Sequence, residues 1–114
     1  MITFACKSIN KEDLIRCSLN LNKTEYKILE FLFRNGQRMT TIGISGRMGL
    51  ERTTVQKGMK NLMRKRIVTR KKENLKEGGY VFFYELNDKK NIKDEIKNTI
   101  SDWYKSAIKK VEEI

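Results

Sequence analysis

Thr53, Lys57, Lys60 and Arg64 follow one another at steps of four, three and four residues, a spacing that puts them on one face of an α-helix. The row holds only hydroxyl, ammonium and guanidinium groups, with no acid among them. Such groups donate hydrogen bonds, to phosphate oxygens at the rims of a groove and to base edges in its middle. Arg52 and Gln56 stand in the first turns of the same stretch, and Thr54 and Asn61 flank the row. Val55, Met59, Leu62 and Met63 make an apolar stripe on the other side. Taken alone, the pattern also suits an ordinary amphipathic helix with a solvated face, and its surroundings decide between the two.

Those surroundings are strongly basic. Between Arg34 and Lys72 the chain carries 12 Lys or Arg against one acid, Glu51, so this segment is +11, whereas the part before it is +1 and the part after it −1. Soluble proteins usually intersperse their charges, so a block this one-sided asks for a polyanion, and nucleic acid has the right reach.

What is missing narrows the chemistry. The 114 residues contain no histidine, which removes Ser/His and Cys/His nucleophile pairs, His-ligated zinc and imidazole acid-base catalysis. Phosphate-loop, dinucleotide-fingerprint and calcium-loop motifs are absent as well, so the sequence predicts a non-enzyme without cofactor or metal. No apolar run approaches the roughly 18 residues of a membrane span, and the first residues lack a secretory pattern, so a soluble cytoplasmic protein is expected. Cys6 and Cys17 are too far apart for a Cys-x-x-Cys motif. They read as buried structural thiols, with a thiol switch as the alternative.

Four helical stretches and one hairpin would position the basic row. Ser8 or Asn10 caps a first helix reaching Cys17, and Asn22 or Thr24 caps a second with Tyr26, Ile28, Leu29, Leu32 and Phe33 at helical spacing, ended by Asn35-Gly36. Thr40 or Thr41 opens a third, Ile42 to Met48, followed by Gly49. Gly43 and Gly46 inside it cost about 1 kcal/mol each relative to alanine, so tertiary contacts must hold it. The fourth runs from Arg52 to Arg66. Ile67 to Glu73 and Tyr80 to Leu86 are rich in β-branched and aromatic residues around a Gly78-Gly79 turn, which predicts a hairpin. Arg70, Lys71 and Lys72 on its first arm and Lys76 near its tip could follow a phosphate backbone. Tyr80, Phe82, Tyr84 and Leu86 alternate onto one strand face, as in a sheet that buries a side.

Helix, turn, helix and basic hairpin in this order are a winged helix. Residues 41–50, TIGISGRMGL, and 52–68, RTTVQKGMKNLMRKRIV, preceded by LNKTEYKILEFL at 21–32, resemble the winged-helix signature of the MarR and archaeal TrmB-like transcriptional regulators. The resemblance covers about residues 20–87. It implies sequence-specific binding of double-stranded DNA as a dimer, with Thr53, Thr54, Gln56, Lys57 and Lys60 in the recognition helix and Arg70 to Lys76 in the wing. Ser45 stands where the family usually has alanine, and Glu51 where a Ser or Asp cap is usual.

From Asp88 to Ile114, Ile92, Ile96, Ile100, Trp103, Ala107, Val111 and Ile114 recur at steps of three and four, close to a heptad seam. A helix of this length would overhang so small a domain, which predicts a homodimer through Ile92, Ile96, Ile100, Trp103, Ala107 and Val111. The sequence thus reads as an α+β winged helix-turn-helix in three parts. Residues 1–20 form an N-terminal helical segment packing on the dimer interface, 21–87 the DNA-binding domain and 88–114 the dimerisation helix. The expected partner is double-stranded DNA with a palindromic or pseudo-palindromic site. The alternative is an architectural, RNA-binding or protein-docking winged helix without sequence readout.

Overall fold

The computed structural model describes residues 1–114. Its elements run β1 (Ile2–Phe4), β2 (Lys7–Ile9), α1 (Lys11–Leu19), α2 (Lys23–Asn35), α3 (Thr41–Met48), α4 (Arg52–Arg64), β3 (Val68–Asn74), β4 (Tyr80–Leu86) and α5 (Lys89–Glu112). This is the expected α+β winged helix with a long C-terminal helix. None of its helices is long and apolar enough to cross a membrane.

Caps in the sequence fix most of the helix ends. Asn10 accepts the Asp13 amide at 2.8 Å to start α1, and Asn20, left-handed at φ 54°, ends it. Asn22 and Glu25 form a reciprocal capping box on α2, with bonds of 2.7 and 3.0 Å, and Gly36 turns the chain out at φ 62°. Thr40 caps α3 through the Gly43 amide at 3.0 Å. A side chain at Gly43 would meet that hydroxyl, so this glycine makes room for the cap. Ser45 Oγ donates to the Leu50 carbonyl at 2.5 Å and ties α3 to the turn that leads into α4.

The core gathers Leu21, Ile28, Leu29, Leu32, Met39, Ile44, Val55, Met59, Leu62, Ile67, Val68, Tyr84 and Ile92. Val55, Met59 and Leu62 of the α4 stripe are buried and Met63 is half-buried at its edge, with Gly58 on the same buried face. A Cβ there would come within 2.7 Å of Ile28 Cδ1, so the glycine sets how closely α2 and α4 approach. β3 and β4 pair antiparallel from Val68 with Leu86 to Asn74 with Tyr80. Met39 adds one bridge to Tyr84, with reciprocal backbone bonds of 2.8 and 2.7 Å, which anchors the wing to the segment before α3.

Four expectations are corrected. Residues 1–20 are helical only from Lys11, because Ile2 to Phe4 and Lys7 to Ile9 pair as a hairpin. Strands of three residues are too short to show a period of two. The fourth helix stops at Arg64 rather than Arg66, which adopts the left-handed conformation at φ 61° and turns the chain into β3. Both cysteines are exposed rather than buried. Cys6 sits in the turn of the first hairpin, and Cys17 points away from the side of α1 where Ile15 and Leu19 meet the core. The seam of α5 is divided, since Ile92 is buried in the chain's own core and Ile96 packs against it. Ile100, Trp103 and Val111 are exposed, along with Tyr104 and Ile108.

Candidate nucleic-acid interface

Thr53, Lys57, Lys60 and Arg64 all point outward from α4, and none of the three cations has an acidic partner. Arg52 and Gln56 are exposed on the side of α4 that faces β4. Thr54 and Asn61 lie on the other flank, half-buried. Asn61 does not face outward with the row. Its side-chain amide donates to Glu25 Oε2 at 2.6 Å, and Glu25 is buried beneath it. The structure therefore places Asn61 in the clamp between α2 and α4, a correction to its reading as a contact residue.

The first turn of α4 has no side-chain cap, because Glu51 adopts the capping conformation without bonding an amide. Its amides point out of the helix beside Arg52, where the helix dipole favours negative charge.

Alternation along β3 splits the wing cations between two faces. Val68, Arg70 and Lys72 share a face with Tyr80, Phe82 and Tyr84, whereas Lys71 and Glu73 share the other with Phe83 and Glu85. On the first face Arg70 lies over Phe82 and Lys72 over Tyr80, and neither has an acidic partner. On the second face Lys71 pairs with Glu85 at 3.0 Å, so its charge is partly compensated. Lys76 is exposed in the tip, next to Gly78 and Gly79, both at positive φ. Of the proposed wing contacts, Arg70 and Lys72 lie on the same side as the first turns of α4, and Lys71 does not.

Several cations of the basic block are engaged within the protein, Arg34 with Glu30 and Lys65 with the Asn20 carbonyl among them. Arg38 bonds Glu73 at 2.9 Å and covers Phe83 at 4.1 Å, bracing the outer face of the wing. Arg47 bonds Asn35 Oδ1 at 3.1 Å and lies over Phe31. Nothing in the local sequence around Arg38 announces a partner 35 residues away. A cavity of about 630 Å³ also opens between α1, α2 and α5, floored by Ile15, Tyr26, Leu29 and Phe33 and edged by Lys11, Arg34, Lys89 and Lys93. It could not be read from the sequence, because three separate helices build it.

The family profile of the DnaD N-terminal domain matches residues 12–107. An uncharacterized protein of Methanocaldococcus jannaschii is 35% identical over 103 residues, covering 90% of this chain and 84% of that protein. A solved structure described as a possible transcriptional regulator from Methanosarcina mazei is similar at a TM-score of 0.91 and 32% identity, over 99% of this chain and 95% of that one. A Staphylococcus aureus MepR mutant bound to an oligodeoxyribonucleotide is alike in fold, with a TM-score of 0.59 at 16% identity over 87% of this chain and 72% of that one.

Proposed function

The chain belongs to the DnaD N-terminal domain family, and we propose that it is a DNA-binding transcriptional regulator that reads double-stranded DNA as a homodimer. The observation that carries this reading is the outward face of α4, where Thr53, Lys57, Lys60 and Arg64 are exposed and free of acids beside a wing bearing Arg70 and Lys72. With α4 in the major groove, Thr53, Thr54, Gln56 and Lys57 reach base edges, Lys60 and Arg64 reach phosphates, and Arg52, Arg70, Lys72 and Lys76 hold the flanking backbone. The description of the Methanosarcina mazei neighbour and the DNA-bound MepR mutant support this direction, as does the sequence resemblance to the MarR and TrmB-like regulators.

The homodimer is formed by the distal half of α5. At 24 residues this helix is roughly 36 Å long, and Ile100, Trp103, Tyr104, Ile108 and Val111 stay exposed beyond the part that seals the core. An apolar band of this kind on a helix wants a partner. Residues 21–87 are then the reading domain, 88–114 the dimerisation helix, and 1–20 a segment packed beside it. Two recognition helices related by a two-fold axis would meet successive major grooves about 34 Å apart, which favours a palindromic or pseudo-palindromic site in a cytoplasmic setting.

The test is selection from a random duplex library at physiological salt. An enriched two-fold symmetric sequence bound about 10³-fold more tightly than its scramble is the expected result. Binding without an enriched motif would leave an architectural role, and absence of duplex binding would overturn the proposal.

A further inference from the structure

Tyr80 and Phe82 project from the same face of β4 and meet edge to face, with ring centroids 5.2 Å apart and an interplanar angle of 66°. Each is covered by a cation from the neighbouring strand. The guanidinium carbon of Arg70 lies 4.1 Å from the Phe82 centroid, and Lys72 Nζ lies 4.2 Å from that of Tyr80. These are diagonal neighbours in the ladder, since Arg70 pairs directly with Tyr84 and Lys72 with Phe82. Opposite them stand Arg52, Gln56 and Ile42, and the space between is a cleft of about 220 Å³. Tyr84 is buried in its floor, while Tyr80 is 54% exposed and Ile42 63% exposed at its rim.

Phosphate contact explains Arg70 and Lys72, and packing against the core explains Phe82, but neither uses the exposed ring of Tyr80. A paired base shows only its edges in a groove, because stacked neighbours cover its faces. An unpaired base shows a face, which stacks on an aromatic ring or on a guanidinium while its phosphate meets nearby cations. An exposed Tyr80 ring and the Arg52 guanidinium on the cleft wall, with Arg70 and Lys72 lying over its rings, fit that chemistry.

We propose that this cleft takes an unpaired nucleotide from a single strand adjoining the duplex, so that the protein prefers a duplex with a single-stranded extension to a continuous one. The inference rests on the duplex-binding reading for the placement of α4. Its own determinant is Tyr80, which that reading does not use.

The experiment measures the affinity of the full chain for a blunt duplex, for the same duplex with a short oligothymidylate overhang, and for the oligothymidylate alone. The first unpaired position of the overhang is replaced by the fluorescent base aminopurine. The overhang should tighten binding about tenfold at equal salt, with quenching of the aminopurine. Tyr80→Leu should abolish both effects and leave the blunt-duplex affinity unchanged, and Tyr80→Trp should keep them, with circular dichroism checking that each variant is folded. Equal affinity for overhang and blunt duplex would overturn the inference and leave duplex binding standing. A gain that survives Tyr80→Leu would assign it to backbone charge and overturn the inference as well. Binding to the overhang and the single strand with none to blunt duplex would support the cleft and overturn the duplex reading, and binding to none of the three would overturn both.

Discussion

Asn61 on α4 donates a 2.6 Å hydrogen bond to Oε2 of Glu25, a carboxylate only 4% exposed that uses its other oxygen to accept the Asn22 amide at 3.0 Å. One side chain thus closes the capping box of α2 and fixes the flank of α4. The orientation of the outward row depends on this clamp as well as on the apolar stripe beneath it. Asn61→Ala would leave a buried carboxylate oxygen without its partner, at a cost of about 1–3 kcal/mol in urea unfolding. The preferred DNA sequence should not change. Altered base preference with unchanged stability would return Asn61 to the contact surface.

Glu25→Ala should cost more than Asn61→Ala, since it removes the reciprocal arm of the capping box and the clamp together, although the Asn22 cap on the backbone amide remains. A double-mutant cycle should show coupling between the two positions of about 0.5–3 kcal/mol. Additive losses would mean that the bond contributes nothing of its own.

Lys57 and the wing cations should separate by their effect on specificity. Lys57→Ala is expected to weaken the preferred duplex by about 1–3 kcal/mol relative to others, as loss of a base contact does. Arg70→Ala and Lys72→Ala should weaken all duplexes alike and reduce the salt slope by about one unit each. Titrations at several salt concentrations check this, and equal losses for all three on every sequence would refute the division.

The two halves of α5 should fail differently. Ile92→Ala removes a side chain 3% exposed in the core and is expected to cost about 2–5 kcal/mol of stability. Trp103→Ala, at a position 63% exposed, should leave the winged helix folded and shift sedimentation towards a monomer. An unchanged oligomeric state in Trp103→Ala combined with Ile108→Ala would place the interface elsewhere.

Tyr26 gives the fold an alkaline limit. Burial, and then the Glu30 carboxylate one turn on, raise its pKa above the ordinary 10.0. The neutral phenol is therefore favoured in the folded chain. Its contribution is complete below pH 10.0 and is lost as the pH rises through the folded value, because the unfolded chain ionises first. Tyr26→Phe should show a shallower fall in stability above pH 10.0 than the unaltered protein in the same denaturant series. Parallel curves would show that the phenol is not linked to folding.

Four of the five helices' caps and faces, and the wing hairpin, were written in local signals, whereas the hairpin of Ile2–Phe4 with Lys7–Ile9 was not. Caps at Asn10, Asn22 and Thr40, the stripe of Val55, Met59 and Leu62, and the alternation of β4 are local signals, since hydrogen bonding within one or two turns and a fixed period generate them. The outward, acid-free row of α4 was legible for the same reason. Tertiary structure alone decided which of those groups are free. Arg38 is taken up by Glu73, Lys71 by Glu85 and Asn61 by Glu25, while Ile92 seals its own domain rather than extending the seam. Each of these outcomes joins residues from different elements. A period tells which way a side chain points, but what it meets depends on how closely the elements pack, and Gly58 against Ile28 sets that approach for α2 and α4.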